Sequence, residues 1–307
     1  MATALITHAD CLKHVTPQGH PERVARLEHV LEALQGLDLV REEAPVCTDE
    51  DLRLCHPQAY IDRIGAAEPV TGAAQIDSDT WMSPGSMRAA KRAAGGALKA
   101  VDMVLGGAVA NAFVATRPPG HHAETETPMG FCLFGNAALA AKHALERHGL
   151  ARVAVLDFDV HHGNGTQDLL WAEPRSLFIG SHQMPLWPGS GDATERGAHD
   201  NVLNLPLAPN SGGEAMRRAW TPALKRLREF APELIVISAG FDAHQDDPLA
   251  QLNWGVEDFR WITGEICTIA AEVCKGRVVS VLEGGYDLAA LAASARAHVD
   301  VLMEAGQ

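Results

Sequence analysis

Short apolar runs recur through the last two-thirds of the chain, at residues 112–116, 153–157, 177–180, 234–239 and 278–282. None shows the in-and-out alternation of a half-buried strand and each is too short for a core helix, so they read as strands buried on both faces. The segments between them, 136–147, 216–230, 256–273 and 288–303, carry apolar positions three and four apart, which is helical spacing. Two more helices precede the first of these strands. Over 22–35, Val24, Leu27, Leu31 and Leu34 form a stripe behind Pro21, a residue suited to a first turn. Over 86–105, Met87, Ala90, Ala94, Leu98 and Val101 form another, stopped by Gly106-Gly107. The alternation predicts an α/β protein, a single domain over residues 1–307 with a mostly parallel sheet and helices on both faces. The Pro/Gly-rich stretches 187–197 and 205–213 fall between elements and read as long functional loops.

Composition narrows this picture. At 307 residues and 47% hydrophobic, the chain can bury one large core. No apolar run reaches the roughly 20 residues of a membrane span, and the first ten residues lack a signal-peptide pattern. The expectation is a cytoplasmic protein with no membrane partner. Six cysteines without paired two-residue spacing indicate reduced thiols, neither a disulfide framework nor a thiolate metal site. Lys+Arg number 25 against 39 Asp+Glu, a formal charge of −14, which repels phosphate backbones and attracts cations. No nucleic-acid partner is expected, while a cationic substrate or an amine product suits the balance.

In open parallel sheets, ligands sit beyond the carboxyl ends of the strands. Four strands end here in reactive groups: Arg117-Pro118-Pro119-Gly120-His121-His122, then Asp157-Phe158-Asp159-Val160-His161-His162-Gly163-Asn164, then Gly240-Phe241-Asp242, and Glu283-Gly284-Gly285-Tyr286. Asp159 and His161 are two apart, so in extended backbone they point to one side and can share a cation, with Asp242 as a third ligand from a neighbouring strand. Three protein ligands with an open position describe a catalytic site. Two carboxylates and one His reverse the ratio of the oxygenase iron triad and favour a hydrolytic divalent metal, although ligand type alone does not settle the ion.

His121 and His122 are suited to moving protons, with Asp157 orienting one ring and Asn164 the other; the charged partner raises its imidazole relative to the neutral one. Tyr286 is placed to stabilise an oxyanion. His8, His29, His143, His148, His199 and His298 read as ordinary structural residues, while His162 and His182 are open between supporting the site and filling hydrogen-bond positions.

Taken together, residues 117–124, Met129-Gly130-Phe131-Cys132, 157–165, 238–242 and 283–286 resemble the histone deacetylase superfamily, in particular its class II and bacterial deacetylase-like members. His20-Pro21-Glu22-Arg23 is similar to the family's N-terminal signature, and the resemblance runs in order from about His20 to the C-terminus. It implies the arginase/deacetylase fold, a three-layer α/β/α domain with about eight strands. It further implies that Asp159, His161 and Asp242 bind one Zn²⁺, that His121 and His122 are the acid/base pair supported by Asp157 and Asn164, and that Tyr286 polarises the scissile carbonyl. Gly130, Phe131 and Trp187 correspond to the walls of an acyl-lysine tunnel, Arg23 to an internal-channel arginine, and a structural K⁺ lies near Asp157 in family members. Homo-oligomers occur in the family.

The implied reaction is deacylation of an acylated amine, with acyl-lysine as first substrate class. Polyamine-selective relatives place a Glu shortly after the Asp-Pro that follows the third ligand; here Leu249 follows Asp247-Pro248. Two alternatives stand beside it. A two-manganese ureohydrolase shares the fold but needs a further carboxylate where this chain has Gly163. A non-catalytic acyl-lysine binder has no use for a proton-transfer pair.

Overall fold

The structure, a computed structural model, describes residues 1–307. Ten strands form: β1 (Thr3–Thr7), β2 (Val40–Glu43), β3 (Ala74–Gln75), β4 (Trp81–Met82), β5 (Asn111–Val114), β6 (Val153–Asp157), β7 (Ser176–Gln183), β8 (Val202–Leu207), β9 (Leu234–Ala239) and β10 (Val278–Leu282). The helices are α1 (Val24–Ala33), α2 (Asp49–Leu52), α3 (Gln58–Ala67), α4 (Ser86–Leu105), α5 (Asn136–Glu146), α6 (Asn164–Leu170), α7 (Gly213–Phe230), α8 (Val256–Cys274) and α9 (Leu288–Gly306).

Eight strands make one sheet in the order β2-β1-β5-β10-β9-β6-β7-β8, and every neighbouring pair is parallel. Successive side chains of a strand point to opposite faces, and here both faces are covered. Val153, Val155, Leu234 and Val236 face a core shared with α4 and α5, while Ala154, Leu156, Ile235 and Ile237 face the core of α1, α7, α8 and α9. This is the three-layer α/β/α architecture of the arginase/deacetylase fold. No helix is long and apolar enough to cross a membrane.

The strands over 153–157, 234–239 and 278–282 and the helix over 86–105 coincide with their predicted ranges. The predicted strand 112–116 is shifted to Asn111–Val114, and the helix over 22–35 is trimmed to Val24–Ala33. β1, β2 and β8 were not foreseen. β8 occupies the start of a stretch that reads as loop because of Pro206; as an edge strand paired only with β7, it tolerates a residue without an N–H. β2 is the other edge, and its Val-Arg-Glu-Glu sequence carries too little apolar signal to mark a strand.

Beneath the carboxyl rim lies a buried ionic cluster. Glu22, in the turn before α1, pairs with Arg117 beyond β5 and, at 3.2 Å, with Arg26 one helical turn later. Arg117 also donates to the carbonyl of His14 at 3.0 Å, and Arg26 donates to the carbonyls of Glu283 and Gly285 beyond β10. The cluster therefore ties the N-terminal segment to two central strand ends. Burial raises the Glu22 carboxyl, but Arg117 above all, with His14, outweighs it and holds the group well below 4.5.

A group with a lowered folded pKa stabilises fully above its unfolded value and loses that stabilisation as pH falls through the folded one. Glu22→Gln is expected to lower unfolding free energy by about 3–5 kcal/mol at neutral pH, because two arginines lose their buried counter-charge. The variant should also lose less further stability than the parent as pH drops below 4.5. Urea titrations at pH 7 and pH 4 measure both, and equal stabilities at neutral pH would refute the coupling.

Candidate active site

β5, β10, β9 and β6 are the four adjacent central strands of the sheet, so their four reactive loops meet over the middle of one rim. Asp159, His161 and Asp242 come together there: Nδ1 of His161 is 3.2 Å from Oδ1 of Asp159 and 3.1 Å from Oδ2 of Asp242. Both aspartates are buried. On a tetrahedral ion with bonds near 2.1 Å, donor atoms stand about 3.4 Å apart, close to these separations. The remaining carboxylate lone pairs are oriented by backbone amides: Gly284 donates to Oδ2 of Asp159 at 2.8 Å and Val160 to Oδ1 of Asp242 at 2.9 Å. Burial opposes charge on His161, yet Asp159 and Asp242 raise its pKa to about 10. The position thus favours a positive charge, and these residues fit a divalent cation held by one nitrogen and two oxygens.

His121 and His122 pack against each other with ring centroids 3.9 Å apart, and each is fixed by a different partner. Nδ1 of His121 meets Oδ2 of Asp157 at 3.0 Å, whereas Nδ1 of His122 meets Oδ1 of Asn164 at 2.7 Å. Burial disfavours a charged His121, but the carboxylates of Asp159 and Asp157 outweigh it and hold the ring well above the ordinary histidine value. Burial, reinforced by His121 and His161, holds His122 well below it. The carboxylate and amide partners thus split the pair in the expected sense.

A cavity of ≈ 180 Å³ opens above these groups, lined by Asp79, His122, Gly130, Phe131, His161, Leu186, Trp187, Leu249 and Tyr286. Trp187 stands edge-on to His122, with centroids 4.7 Å apart. Glycine is required at 130, which abuts both rings: its φ is +55°, and an added Cβ would lie 2.4 Å from the His122 ring and 2.7 Å from Trp187. Phe131 also adopts a left-handed backbone, φ 69°, held by an N–H bond to Thr80 Oγ1 at 3.1 Å. Tyr286 shares the cavity. Tyr60 gives its hydroxyl to the Leu133 carbonyl at 2.6 Å, whereas the Tyr286 hydroxyl has no partner within the chain.

Arg23 is not part of this arrangement. It precedes the first turn of α1 and is exposed, while Arg26, on the inward face beside Leu27 and Val30, takes the interior position. Its guanidinium lies 4.8 Å from the centre of the Tyr286 ring. The sequence signal for Arg26 was its i,i+4 spacing from Glu22. Glu283 was also passed over: it is fully buried, its Oε2 accepts the amides of Gly120 (2.7 Å) and His121 (3.1 Å), and burial lifts its pKa to about 7. Asp79, on the β3–β4 turn, had no signal at all. His162 and His182 lie to one side of the cavity, engaged with Ser190, Gln167 and the Gly191 carbonyl, and support the loop that carries Trp187.

An all-parallel α/β/α sheet whose central strand ends gather these groups is, with the family match and relatives given next, that of a hydrolase acting on amides. The chain belongs to the histone deacetylase family, for the family's model, histone deacetylase domain, matches residues 20–302. It is 41% identical to the histone deacetylase-like amidohydrolase of Pseudomonas aeruginosa over 87% of this chain and 71% of that one. It is 42% identical to an uncharacterized protein of Synechocystis over 95% and 96% of the two chains. The crystal structure of the HDA15 HD domain superposes with a TM-score of 0.93 over 99% of this chain and 88% of the other, at 32% identity.

Gly240 packs flat against the candidate ligand Asp159, and a Cβ there would fall 2.1 Å from its Oδ2. Gly240→Ala is therefore expected to displace the carboxylate and weaken metal retention about 10–100-fold, the usual cost of disturbing a ligand's supports. Metal analysis after dialysis reads this out, and undiminished retention would contradict the ligand assignment.

Proposed function

We propose that residues 1–307 act as one zinc-dependent deacylase domain that hydrolyses N-acyl amides, with acetyl-lysine side chains as the first substrate class. The observation that carries this reading is the meeting of three parts at one cavity. Asp159, His161 and Asp242 form one donor set, the His121–Asp157 and His122–Asn164 pairs lie beside it, and Tyr286, whose hydroxyl has no partner within the chain, lines the same space. Asp159, His161 and Asp242 would hold Zn²⁺, which when bound supplies Lewis acidity to a carbonyl and to water.

The chain's own residues supply the rest. His122 borders the cavity and is held neutral, so its Nε2 takes a proton from the attacking water and returns it to the departing amine as the C–N bond breaks. His121 lies deeper and is held cationic by Asp159 and Asp157, so it supplies positive charge beside the reacting centre. Tyr286 donates its hydroxyl to the carbonyl oxygen as negative charge develops there. Arg26 under its ring and the loop bonds to Asp247 fix the tyrosine's place. The products are a carboxylate and a free amine.

Phe131, Leu186, Trp187 and Leu249 form an apolar sleeve suited to the methylene arm of lysine. Leu249 offers no charge to the second ammonium of an acylated polyamine, whereas Asp79, a carboxylate on the cavity wall, accepts the Gly130 amide at 3.2 Å through Oδ1 and keeps Oδ2 for a ligand. Acetylpolyamines and other small amides form the second substrate class. A two-metal ureohydrolase is disfavoured by Gly163, where an added Cβ would meet Oδ2 of Asp157 at 2.3 Å. A structural K⁺ near Asp157 and a homo-oligomer belong to the proposal from family resemblance, and a cytoplasmic setting from composition.

Tyr286→Phe should keep its zinc and lose about 10²–10³-fold in kcat, the range for removing one oxyanion donor. Assay of that variant and the parent on acetyl-lysine peptides, acetylpolyamines and longer acyl amides, with zinc measured on the same preparations, tests both mechanism and substrate class. Full activity of the Phe variant would remove Tyr286 from the chemistry, and a zinc-loaded parent inert on every amide would favour a binder.

A further inference from the structure

Away from the cavity, a second set of metal-type donors converges where two helices end. Asp102 lies in the last turn of α4, His143 in the last turn of α5, and His148 just beyond α5. Nε2 of His143 and Nε2 of His148 each stand 2.7 Å from the same oxygen, Oδ1 of Asp102, with the two rings edge to face at 5.3 Å. The three ligand atoms lie within 4.8 Å of one another. Read from sequence, both histidines are ordinary structural residues.

Two observations set the cluster apart from a casual surface pair. Helix C-termini carry partial negative charge, so a carboxylate in the last turn of α4, facing the last turn of α5, needs a cation to offset it. The fixed cations nearby are committed elsewhere: Lys99 to Glu42 at 2.7 Å and to the Glu43 carbonyl, Arg147 to Glu50 at 2.6 Å. We propose that Asp102, His143 and His148 form a second divalent transition-metal site, separate from the cavity, that staples the end of α4 to the end of α5.

Two imidazoles with one carboxylate select Zn²⁺, Ni²⁺ or Cu²⁺ over Ca²⁺ and Mg²⁺. Donors on such an ion stand about 3.4 Å apart, so the present contacts must open by roughly 0.7 Å. The Asp102 side chain is 54% exposed and can swing outward while the helix backbones stay in place. Water reaches the remaining coordination positions from the open side.

Zn²⁺ is titrated calorimetrically into the dialysed chain of residues 1–307, its Asp159→Ala variant, and His143→Ala, His148→Ala and Asp102→Asn variants. The parent should show one tight binding event and one weaker event. The three surface variants should lose the weaker event or weaken it at least about tenfold, while Asp159→Ala loses only the tight one. The melting temperature should rise with added Zn²⁺ in the parent and Asp159→Ala proteins, less so in His148→Ala, with parent and surface variants melting alike in chelator. A weaker event that is missing in the parent, or unchanged in all three surface variants, would overturn the proposal. The readout is metal binding, so inactivity of the parent as a deacylase would leave this result standing.

Discussion

Four acids, Asp157, Asp159, Asp242 and Glu283, are buried around the same few ångströms of the central rim, and positive charge must be found for them. Removing even one carboxylate from water costs several kcal/mol unless it is paired and hydrogen-bonded. The chain answers at three levels. Backbone amides of Gly120, His121, Val160 and Gly284 take up oxygen lone pairs, burial leaves Asp157 and Glu283 with raised pKa values, and His121 and His161 are driven toward the charged form. A divalent ion held by Asp159, His161 and Asp242, as proposed, would replace the proton on His161 and complete that compensation, so the buried acids themselves favour a cation at this point.

The same economy of charge reaches below the rim. Arg26 and Arg117 share Glu22, and Arg26 spends its remaining donors on the Glu283 and Gly285 carbonyls while lying against Tyr286. The loop that presents the tyrosine is thus fixed from beneath by a guanidinium and from the side by Asp247, whose carboxylate accepts the Tyr286 amide at 2.7 Å. A phenol held this way reaches the cavity without needing a hydrogen bond of its own, which leaves its hydroxyl free for a ligand.

How much of this could be read in the sequence follows from where the signal lies. Strands covered on both faces spell themselves out as largely apolar runs, so β6, β9 and β10 were legible to the residue, and with them the rim on which the candidate groups meet. Edge strands β2 and β8 and the short β3–β4 hairpin are polar or broken by proline, so neither they nor Asp79 stood out. That the donor trio and the two histidine–partner pairs would come together was readable because each residue ends a strand, follows one within eight residues or opens the helix after it. Arg23 was the wrong arginine for a helical reason: with α1 beginning at Val24, the inward face falls on Arg26, and only the phase of the helix tells the two apart. Glu283 stood inside a recognised motif, yet its work on the Gly120 and His121 amides needed a long-range contact, which no local pattern records.

The division between the adjacent histidines is a consequence of partner chemistry more than of position. His121 and His122 are equally buried and almost in contact, so desolvation penalises both alike. What separates them is that one faces the carboxylates of Asp157 and Asp159 while the other faces the neutral amide of Asn164 and the positive neighbours His121 and His161. Two charged imidazoles at that distance would repel, so charging the first helps to keep the second neutral. The ring held below the ordinary histidine value is the one that borders the cavity, so in the proposed reaction the partner residues on β6 and α6 set which of the pair would accept a proton there.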